Sequence, residues 1–455
     1  MTFPVRVLVV TLWFSFQLTS INSLAQGVQP YPNAITDRAL HTATPMTPPP
    51  AWTVFKDPDF GSSMVRVTDG NTNPRHPASY FHNSSAGTNE WSLDSKKFVV
   101  IGQFSDLLAF GFDPATMTIS PLPGAGAGGG LKLPMSLEST FSYVDPDLIY
   151  GTTNAAPLII SSYRFSTGAT TPVGDITACR TQPPLVAGKG VNTSDLSNSV
   201  GDNRFVISAG GQQFGKRTLV VVYDRNLGCR WYNVQTGQIG GQWGLSGNSS
   251  IPGFFIRHSS ISGDGKYVKI SVDRLGFYIW DLATLNVTAC LYSGPLKCGG
   301  YGALGFDTYV NPAGAFDELN FLQRPLGDLA NMNQLLNPLP LPHYKGMVVH
   351  TTWSNGYFND NAPVCGSTYS PVGNMAITQP YDGEVFCMET DGVASTVWRF
   401  AHNRAVWDPE YYWTDAFGNT SSDGRFFMFS STWDGQVGVT GTGDPRSDVW
   451  IVRLN

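Results

Sequence analysis

The sequence predicts an all-β protein, a single seven-bladed β-propeller closed by a strand from near its N-terminus. One observation behind this prediction is a strand pattern that recurs about every 53 residues. The other is composition, because 49 glycines and 31 prolines accompany 13% aromatic and only 14% charged residues. Typical domains carry about 25% charged residues. Such a mixture is typical of many short strands joined by tight turns.

Four segments share one pattern, in which a polar turn ending in Asp or Gly leads into a basic residue and then an alternating apolar strand. The segments are 93–101, 201–207, 263–270 and 422–429. The aspartates of their turns are Asp94, Asp202, Asp264 and Asp423. Successive aspartates are 108, 62 and 159 residues apart, so the first spacing is two units of 54 and the last is three units of 53. Asp-Gly between two strand-like runs also predicts a β-hairpin.

Weaker copies fall near the positions that the period requires, and they raise the count to seven units. These copies are 144–150, 315–321 and 353–357. The third strand of a unit recurs as well, in 107–112, 159–165, 219–223, 277–282, 384–388 and 449–454. A unit of four short antiparallel strands at this period predicts a propeller blade.

The last unit lacks an outer strand, because the chain ends after the strand at 448–454. We expect residues 64–68 to supply that strand, which closes the ring and leaves no open sheet edge. An array of β-sandwiches is the alternative, but it does not explain a regular period.

Three regions are predicted along the chain. Residues 1–25 carry one positive charge, a short apolar run and a small-residue end, which predict a secretory signal peptide. Residues 26–61 are expected to form an N-terminal extension and residues 62–455 the propeller. Nothing later approaches the roughly 18 apolar residues of a membrane span. We therefore expect a secreted or periplasmic monomer without a membrane span.

Six cysteines follow the predicted signal peptide, and an even number in an exported chain predicts disulfide bonds. Proximity in the sequence favours the pairs Cys290–Cys298 and Cys365–Cys387. The net charge of −6 argues against a nucleic-acid partner, which requires a basic surface.

Four of the seven histidines are expected at one mouth of the central channel. Inner strands should run just before each turn, so His258 and His350 mark the starts of inner strands, while His82 and His402 lie in loops that lead to them. For any one of these histidines a structural hydrogen bond is the simpler explanation, but their convergence favours a functional site. A neutral histidine can act as a base, and arginine binds anions; several imidazoles can also hold a divalent metal.

The Asp-Gly-Lys/Arg strand signature resembles that of TolB-type and WD-repeat-like propellers over nearly the whole mature chain. A second resemblance concerns the site. The segments 257–260 and 350–354, and His402 ahead of 421–424, look like the histidine-bearing inner strands of oligogalacturonate lyases and related seven-bladed polysaccharide lyases. In that family one histidine is the base and others hold a manganese ion beside a glutamine. Thr352 stands here in place of the second histidine of the family's His-x-His-Trp segment, and no equivalent glutamine is evident.

The resemblance, read with the neighbouring residues, implies a role for each candidate. The expected catalytic residues are His258 as base, Arg257 as carboxylate binder and Tyr80 as proton donor. The expected substrate-binding residues are Arg404, Trp353 and His82. The expected metal ligands are His350 and His402, with manganese or calcium as the ion.

The predicted function is action on an extracellular polysaccharide, or binding of one, with β-elimination of a uronic-acid glycan as the reaction. The alternative is a non-catalytic propeller that binds a glycan or a protein. Titratable side chains around the channel favour the enzyme, because a pure binder has no need of them.

Overall fold

The computed structural model describes residues 31–84, 88–185, 193–210, 217–272, 276–296, 298, 302–313, 320–335, 348–353, 360–369, 380–390 and 396–454. Within them, seven antiparallel sheets form the blades of a propeller, which confirms the predicted fold. The predicted signal peptide, residues 1–25, lies outside the described residues.

The strands are numbered in chain order and the blades from the first complete one. The chain opens with β1 (Val54–Lys56) and β2 (Ser63–Arg66). Blade 1 holds β3 (Phe81–His82), β4 (Lys97–Gly102), β5 (Asp106–Asp113) and β6 (Thr118–Ser120), with β7 (Leu131–Lys132) beside β5. Blade 2 holds β8 (Thr140–Phe141), β9 (Leu148–Thr153), β10 (Ala156–Arg164) and β11 (Ala169–Asp175). Blade 3 holds β12 (Thr193–Asn198), β13 (Arg204–Ala209), β14 (Leu219–Asp224), β15 (Gly228–Asn233), β16 (Gln238–Gly241) and β17 (Gly247–Asn248).

The remaining blades follow the same order from the inside outward. Blade 4 holds β18 (His258–Ile261), β19 (Tyr267–Val272), β20 (Gly276–Asp281) and β21 (Val287–Leu291). Blade 5 holds β22 (Ala303–Leu304), β23 (Thr308–Ala313), β24 (Asn320–Pro325) and β25 (Asn333–Gln334). Blade 6 holds β26 (Val348–Trp353), β27 (Val364–Tyr369), β28 (Glu384–Met388) and β29 (Val397–His402). Blade 7 holds β30 (Gly418–Thr420), β31 (Phe426–Ser431) and β32 (Asp448–Arg453), followed outward by β2 and β1. Short 3-10 turns occupy Gln103–Ser105, Ile176–Cys179 and Tyr412–Thr414.

The ring closes as predicted. β2 pairs with β32, with Met64 opposite Val452. The Arg66 guanidinium lies 2.5 Å from the buried carboxylate of Asp448 and fixes the same seam. β1 falls within the segment predicted as an extension and adds a fifth strand to blade 7.

The recurring turn makes the same hydrogen bonds in several blades. In blade 4 the Ser262 hydroxyl donates to Asp264 at 2.7 Å and accepts from the Tyr267 N–H at 3.0 Å. Ser421 does the same with Asp423 in blade 7, and Ser92 with Asp94 in blade 1. These side-chain bonds satisfy the backbone of the tight turn between the first two strands. The repeated sequence signature therefore marks the inner hairpin of a blade.

The core lies between neighbouring blades because both faces of each strand are buried. In β4, Phe98 and Val100 pack into the cluster shared with blade 7, whereas Val99 and Ile101 pack into the cluster shared with blade 2. Side chains alternate across a strand, so an uninterrupted apolar run fills two cores at once.

The predicted repeat at 315–321 is out of phase with blade 5. Phe321 lies in β24, the third strand of its blade, and the second strand is β23, which follows the turn at Asp307. Asp264 and Asp307 are only 43 residues apart, because the outer part of blade 4 is short. Residues 354–357 of the predicted sixth turn lie outside the described residues.

Both predicted disulfides, Cys290–Cys298 and Cys365–Cys387, are present. A third, Cys179–Cys229, ties the 3-10 turn after blade 2 to β15 of blade 3. In the described part of the chain, no helix has the length and apolar character needed to cross a membrane.

A strap of residues 31–53 runs over the outer strands of blades 6 and 7. Its Ile35 carbonyl accepts the backbone N–H of Arg399 at 2.9 Å, and its Thr44 carbonyl accepts from the Arg404 side chain. The strap thereby covers the outer strand of blade 6, which would otherwise be an unpaired sheet edge.

Candidate functional site

The inner strands of the blades begin at one end of the central channel, because successive blades repeat the same strand directions. His258 opens β18, Asp195 is the third residue of β12, His82 ends β3, and Glu138 stands two residues before β8. These imidazole and carboxyl groups therefore belong to one mouth of the channel.

His258 and Asp195 form the most closely coupled pair at this mouth. Nδ1 of His258 lies 3.0 Å from Oδ1 of Asp195, and both side chains are almost fully buried. Burial lowers the pKa of His258, although the Asp195 charge opposes the shift. An ionised carboxylate only accepts hydrogen bonds, so Nδ1 carries the proton of the neutral ring and Nε2 carries the lone pair. This arrangement gives His258 the electronic form of a general base.

A buried arginine, Arg217, supports the pair. Nη2 of the fully buried Arg217 lies 3.3 Å from Oδ2 of Asp195 and donates to the Arg257 carbonyl. Burial alone would raise the pKa of Asp195, but its interactions with His258 and with the Arg217 guanidinium hold that pKa below its usual value. Asp195 is thus ionised throughout the physiological range.

The charge of Arg257 acts on Asp415, a carboxyl group in the loop that leads into blade 7. Burial raises the pKa of Asp415 to about 7, and the Tyr369 hydroxyl, 3.0 Å away, and the Arg257 charge oppose the shift. Oδ1 of Asp415 has no hydrogen-bond partner among the described residues. The mouth therefore offers a cation close to a carboxyl group that can change its charge near neutral pH.

Two further carboxyl groups at the mouth have raised pKa values. Burial raises the pKa of Glu138 to about 7, and the Asp195 charge adds to the effect. Burial also raises the pKa of Glu90 to about 8. Ser84 joins the two residues, since its hydroxyl donates to Glu138 and its N–H donates to Glu90 at 2.6 Å. Glu138 is thus a potential proton donor beside Asp195.

His82 lies in an aromatic part of the mouth. Its Nδ1 lies 2.7 Å from the Asn83 carbonyl, and Nε2 has no hydrogen-bond partner within the described part of the chain. Burial lowers its pKa to about 4. The Tyr412 ring meets the imidazole edge-on at 5.3 Å, and the Tyr80 ring lies 6.0 Å away.

The structure brings together some of the predicted residues. His258 and Arg257 open the inner strand of blade 4, while His82 and Tyr80 stand at the start of blade 1. His350 lies in the inner strand of blade 6, where its side chain is outside the described structure. The chemical roles assigned to these residues remain predictions.

Three predicted site residues lie elsewhere. His402 ends β29, the outermost strand of blade 6, so its expected place at the channel mouth is wrong. Arg404 follows it and pairs with Asp434 at 2.8 Å, remote from the inner strands. Trp353 ends β26 but is buried in the core between blades 5 and 6, where its indole N–H donates to Ala362 at 2.7 Å. Counting residues back from a degenerate turn does not reveal which strand of a blade they occupy.

The described donors do not fit the predicted metal site. His402 lies three strands outward from His350. Thr352 bonds to the Thr420 hydroxyl at 2.9 Å, so its side chain is engaged with blade 7. Among the residues that the structure describes, no three His, Cys, Asp or Glu side chains converge on a point suitable for a cation.

Asp195, Glu138, Arg217 and Asp415 were missed from the sequence. A usable signal existed for two of them, because Asp195 and Glu138 both lie seven residues before a turn aspartate, Asp202 or Asp145. His258 lies six residues before Asp264. Counting back from every turn, without restriction to histidine, would have found the carboxyl partners.

A separate cavity of about 910 Å³ lies on the outer part of blade 3. The 3-10 turn Ile176–Cys179 and strands β16 and β17 line it, together with Trp231. Its lining includes none of the mouth residues described above. The buried titratable groups therefore favour the channel mouth over this cavity as the candidate site.

Comparison with solved structures gives the same architecture. The oligogalacturonate lyase of Vibrio parahaemolyticus superimposes with a TM-score of 0.55 at 11% identity, over 89% of this chain and 96% of that one. An oligogalacturonate lyase in complex with manganese gives 0.53 at 10% identity, over 93% and 98%. TolB of Acinetobacter baumannii gives only 0.34 at 13% identity, over 64% and 60%. The two lyase overlays show that this chain shares their seven-bladed fold.

Sequence comparison adds no family assignment. No protein-family model matches the chain, and no curated protein sequence matches it.

Proposed function

We propose that the channel mouth binds an acidic polysaccharide and cleaves it by β-elimination, with His258 as the base. The observation that carries this proposal is the buried Asp195–His258 pair, 3.0 Å apart, at the start of an inner strand. The fold shared with two oligogalacturonate lyases supports a uronic-acid substrate.

Each step of the reaction has a residue suited to it. The Arg257 guanidinium binds the sugar carboxylate and makes the adjacent carbon more acidic. Nε2 of His258 accepts the proton from that carbon, and the electron pair of the broken C–H bond is held as an enolate of the carboxylate beside Arg257. A carbon–carbon double bond to the neighbouring carbon forms as the glycosidic C–O bond on that carbon breaks, and the electrons of the C–O bond leave with the oxygen.

The leaving oxygen needs a proton, and Glu138 is the better donor. Its carboxyl group has a pKa of about 7 and is close enough to Asp195 for the two charges to interact. Tyr80, the donor expected from the sequence, stands on blade 1 and stacks on Trp413. We assign Tyr80 to substrate contact and Glu138 to proton donation.

A panel of polyuronates tests the proposal, with neutral polysaccharides as controls. The expected result is an ultraviolet-absorbing unsaturated product from at least one acidic polymer and none from neutral polymers. Replacing Glu138 with Gln should lower the rate with that polymer by about two orders of magnitude. Absence of product from every uronate would contradict the enzymatic proposal.

A non-catalytic glycan-binding propeller is the second candidate. It is favoured by the aromatic rings around the mouth, among which Tyr412 is 49% exposed. Aromatic faces stack on sugars without any need for a base. Calorimetric binding of a polyuronate without product formation would select this candidate.

A further inference from the structure

Five ring-bearing residues form two groups on the face of the propeller that carries the channel mouth, beside blade 1. We call the two groups together the aromatic ridge; its members are His76, Tyr80, Phe104, Tyr412 and Trp413. Tyr412 stands at the mouth beside His82, with its ring centroid 5.3 Å from the imidazole. Tyr80 and Trp413 stack at 4.0 Å with their planes 4° apart. The ridge thus begins where the candidate site ends.

The outer end of the ridge is the pair Phe104 and His76. Their rings lie 4.2 Å apart. The two ends are joined through the backbone, because the N–H of Gln103, next to Phe104, donates to the Tyr80 carbonyl at 3.0 Å. The rings are therefore held on one fixed piece of the molecular surface.

Phe104 occupies a position that folding alone does not explain. Its side chain is 59% exposed, at the tip of the turn between β4 and β5. Its φ is 66° and that of Ser105 is 62°, a left-handed conformation that glycine or asparagine adopts more readily. A large apolar side chain in such a place is unfavourable for stability and typical of a binding surface.

A positive charge accompanies the outer rings. Arg75 precedes His76, is exposed, and makes no ion pair within the described part of the chain. Lys132, also exposed, pairs with Asp106 just beyond the Phe104 turn. Flat rings with an available guanidinium suit a sugar chain that carries carboxylates.

We propose that the aromatic ridge holds additional sugars of an acidic glycan chain whose reacting unit lies at the channel mouth. The preferred substrate is then a polymer or long oligosaccharide instead of a disaccharide. This inference rests on the proposed function, because it assumes that the mouth binds uronic acids.

Binding of acidic oligosaccharides of increasing length tests the inference, using wild-type protein and the variant Phe104→Ala. Calorimetry should show that wild-type affinity rises from the di- to the hexasaccharide. Phe104→Ala should weaken hexasaccharide binding about tenfold, near the loss of one stacking contact, and leave disaccharide binding unchanged. Leu227→Ala is the matched control, because Leu227 is 50% exposed on the turn between β14 and β15 at the opposite face.

The outcomes separate the two proposals. If uronides bind with an affinity that does not depend on length, or if Phe104→Ala weakens all lengths equally, the ridge is not a subsite although the mouth still binds acidic sugars. If wild-type protein binds no uronide of any length, the proposed function fails and the ridge inference with it.

Discussion

Two buried histidines of the described structure lie beside carboxylates, His258 at the channel mouth and His402 beneath the strap. Both have an arginine close in sequence, Arg257 or Arg404. Burial lowers the pKa of both imidazoles, to about 4 for His402. From local sequence alone the two sites look alike.

Their positions within the blade separate them. His258 opens the innermost strand of blade 4, whereas His402 ends the outermost strand of blade 6. Asp195 holds Nδ1 of His258 at hydrogen-bond distance. The carboxylate of Asp59 lies 3.6 Å from Nε2 of His402, and in the described structure neither ring nitrogen of His402 makes a hydrogen bond. The imidazole of His258 is thus held by a carboxylate, whereas the imidazole of His402 packs against Phe60, with the ring centroids 5.0 Å apart.

The surroundings of His402 are those of a structural clamp. Arg399 bonds to Glu384 in bidentate fashion at 2.7 and 2.5 Å, and it reaches Asp37 of the strap at 3.0 Å. The Arg399 and Glu384 side chains are fully buried. The position of a strand within its blade, inner or outer, therefore decides whether a buried histidine lies near the channel or near the strap.

Replacing each of the two histidines with asparagine should give the largest difference between the two sites. His258→Asn keeps a donor for Asp195 but removes the base, so turnover of a susceptible polyuronate should fall about a thousandfold. His402→Asn should leave turnover per folded molecule within about twofold of wild type, because His402 lies far from the inner strands. Steady-state rates, corrected for the folded fraction, provide the measurement. Equal losses in the two variants would show that the distinction is false.

The clamp formed by Arg399, Glu384 and Asp37 should contribute to the stability of the fold but not to turnover. Arg399→Met leaves the buried Glu384 without its partner, and we expect a loss of about 3–5 kcal/mol in the free energy of unfolding. Arg425→Met is the matched control, because the Arg425 side chain is 45% exposed and pairs with Asp423. That exposed pair should contribute less than about 1 kcal/mol. Denaturant unfolding of both variants measures the difference, and similar losses would argue against a buried clamp.

The pH dependence of stability gives the smallest expected effect. His402 has a folded-state pKa of about 4 against an ordinary value of 6.5, because it is buried. Between pH 6.5 and about 4, His402 is protonated in the unfolded chain but not in the folded chain. The contribution of the buried, neutral imidazole to the free energy of unfolding is therefore complete above pH 6.5 and is lost as the pH falls toward about 4. Asp59, Arg404, Arg399 and His41 also act on this ring.

Replacing His402 with Asn should remove this pH dependence of the free energy of unfolding, which is on the order of 1 kcal/mol per pH unit between pH 6.5 and 4. Unfolding free energies of variant and wild type, measured from pH 7.5 to 4.5, give the difference. Above pH 7 the two curves should run parallel. Parallel curves at all pH values would mean that His402 is not buried in its neutral form.

The sequence predicted the ring because the turns of several blades encode their own local hydrogen bonds. Ser262, Asp264 and Tyr267 are close in sequence, so their contacts are visible in a spacing. The closing strand was also predictable, because an incomplete last blade needs a partner. Blade 5 was placed out of phase because its turn lacks this serine–aspartate signature.

The site was harder to predict because its contacts join distant parts of the chain. Asp195 and His258 are 63 residues apart and meet only because adjacent blades align their inner strands. The misplacement of His402 has the same origin, because its location in the outermost strand β29 depends on how the strands of blade 6 pair with one another. Sequence periodicity fixes the order of strands, but it does not reveal which polar groups face each other across neighbouring blades.

The central claim is that acidic sugars bind at the channel mouth, between Arg257 and His258. A crystal structure of the His258→Asn variant soaked with a uronic-acid hexasaccharide tests it most directly. We predict a sugar carboxylate in an ion pair with Arg257, and a sugar ring over position 258 with the chain continuing toward Tyr412. Sugar bound only elsewhere, for example in the cavity beside Trp231, with none at the mouth, would contradict the account.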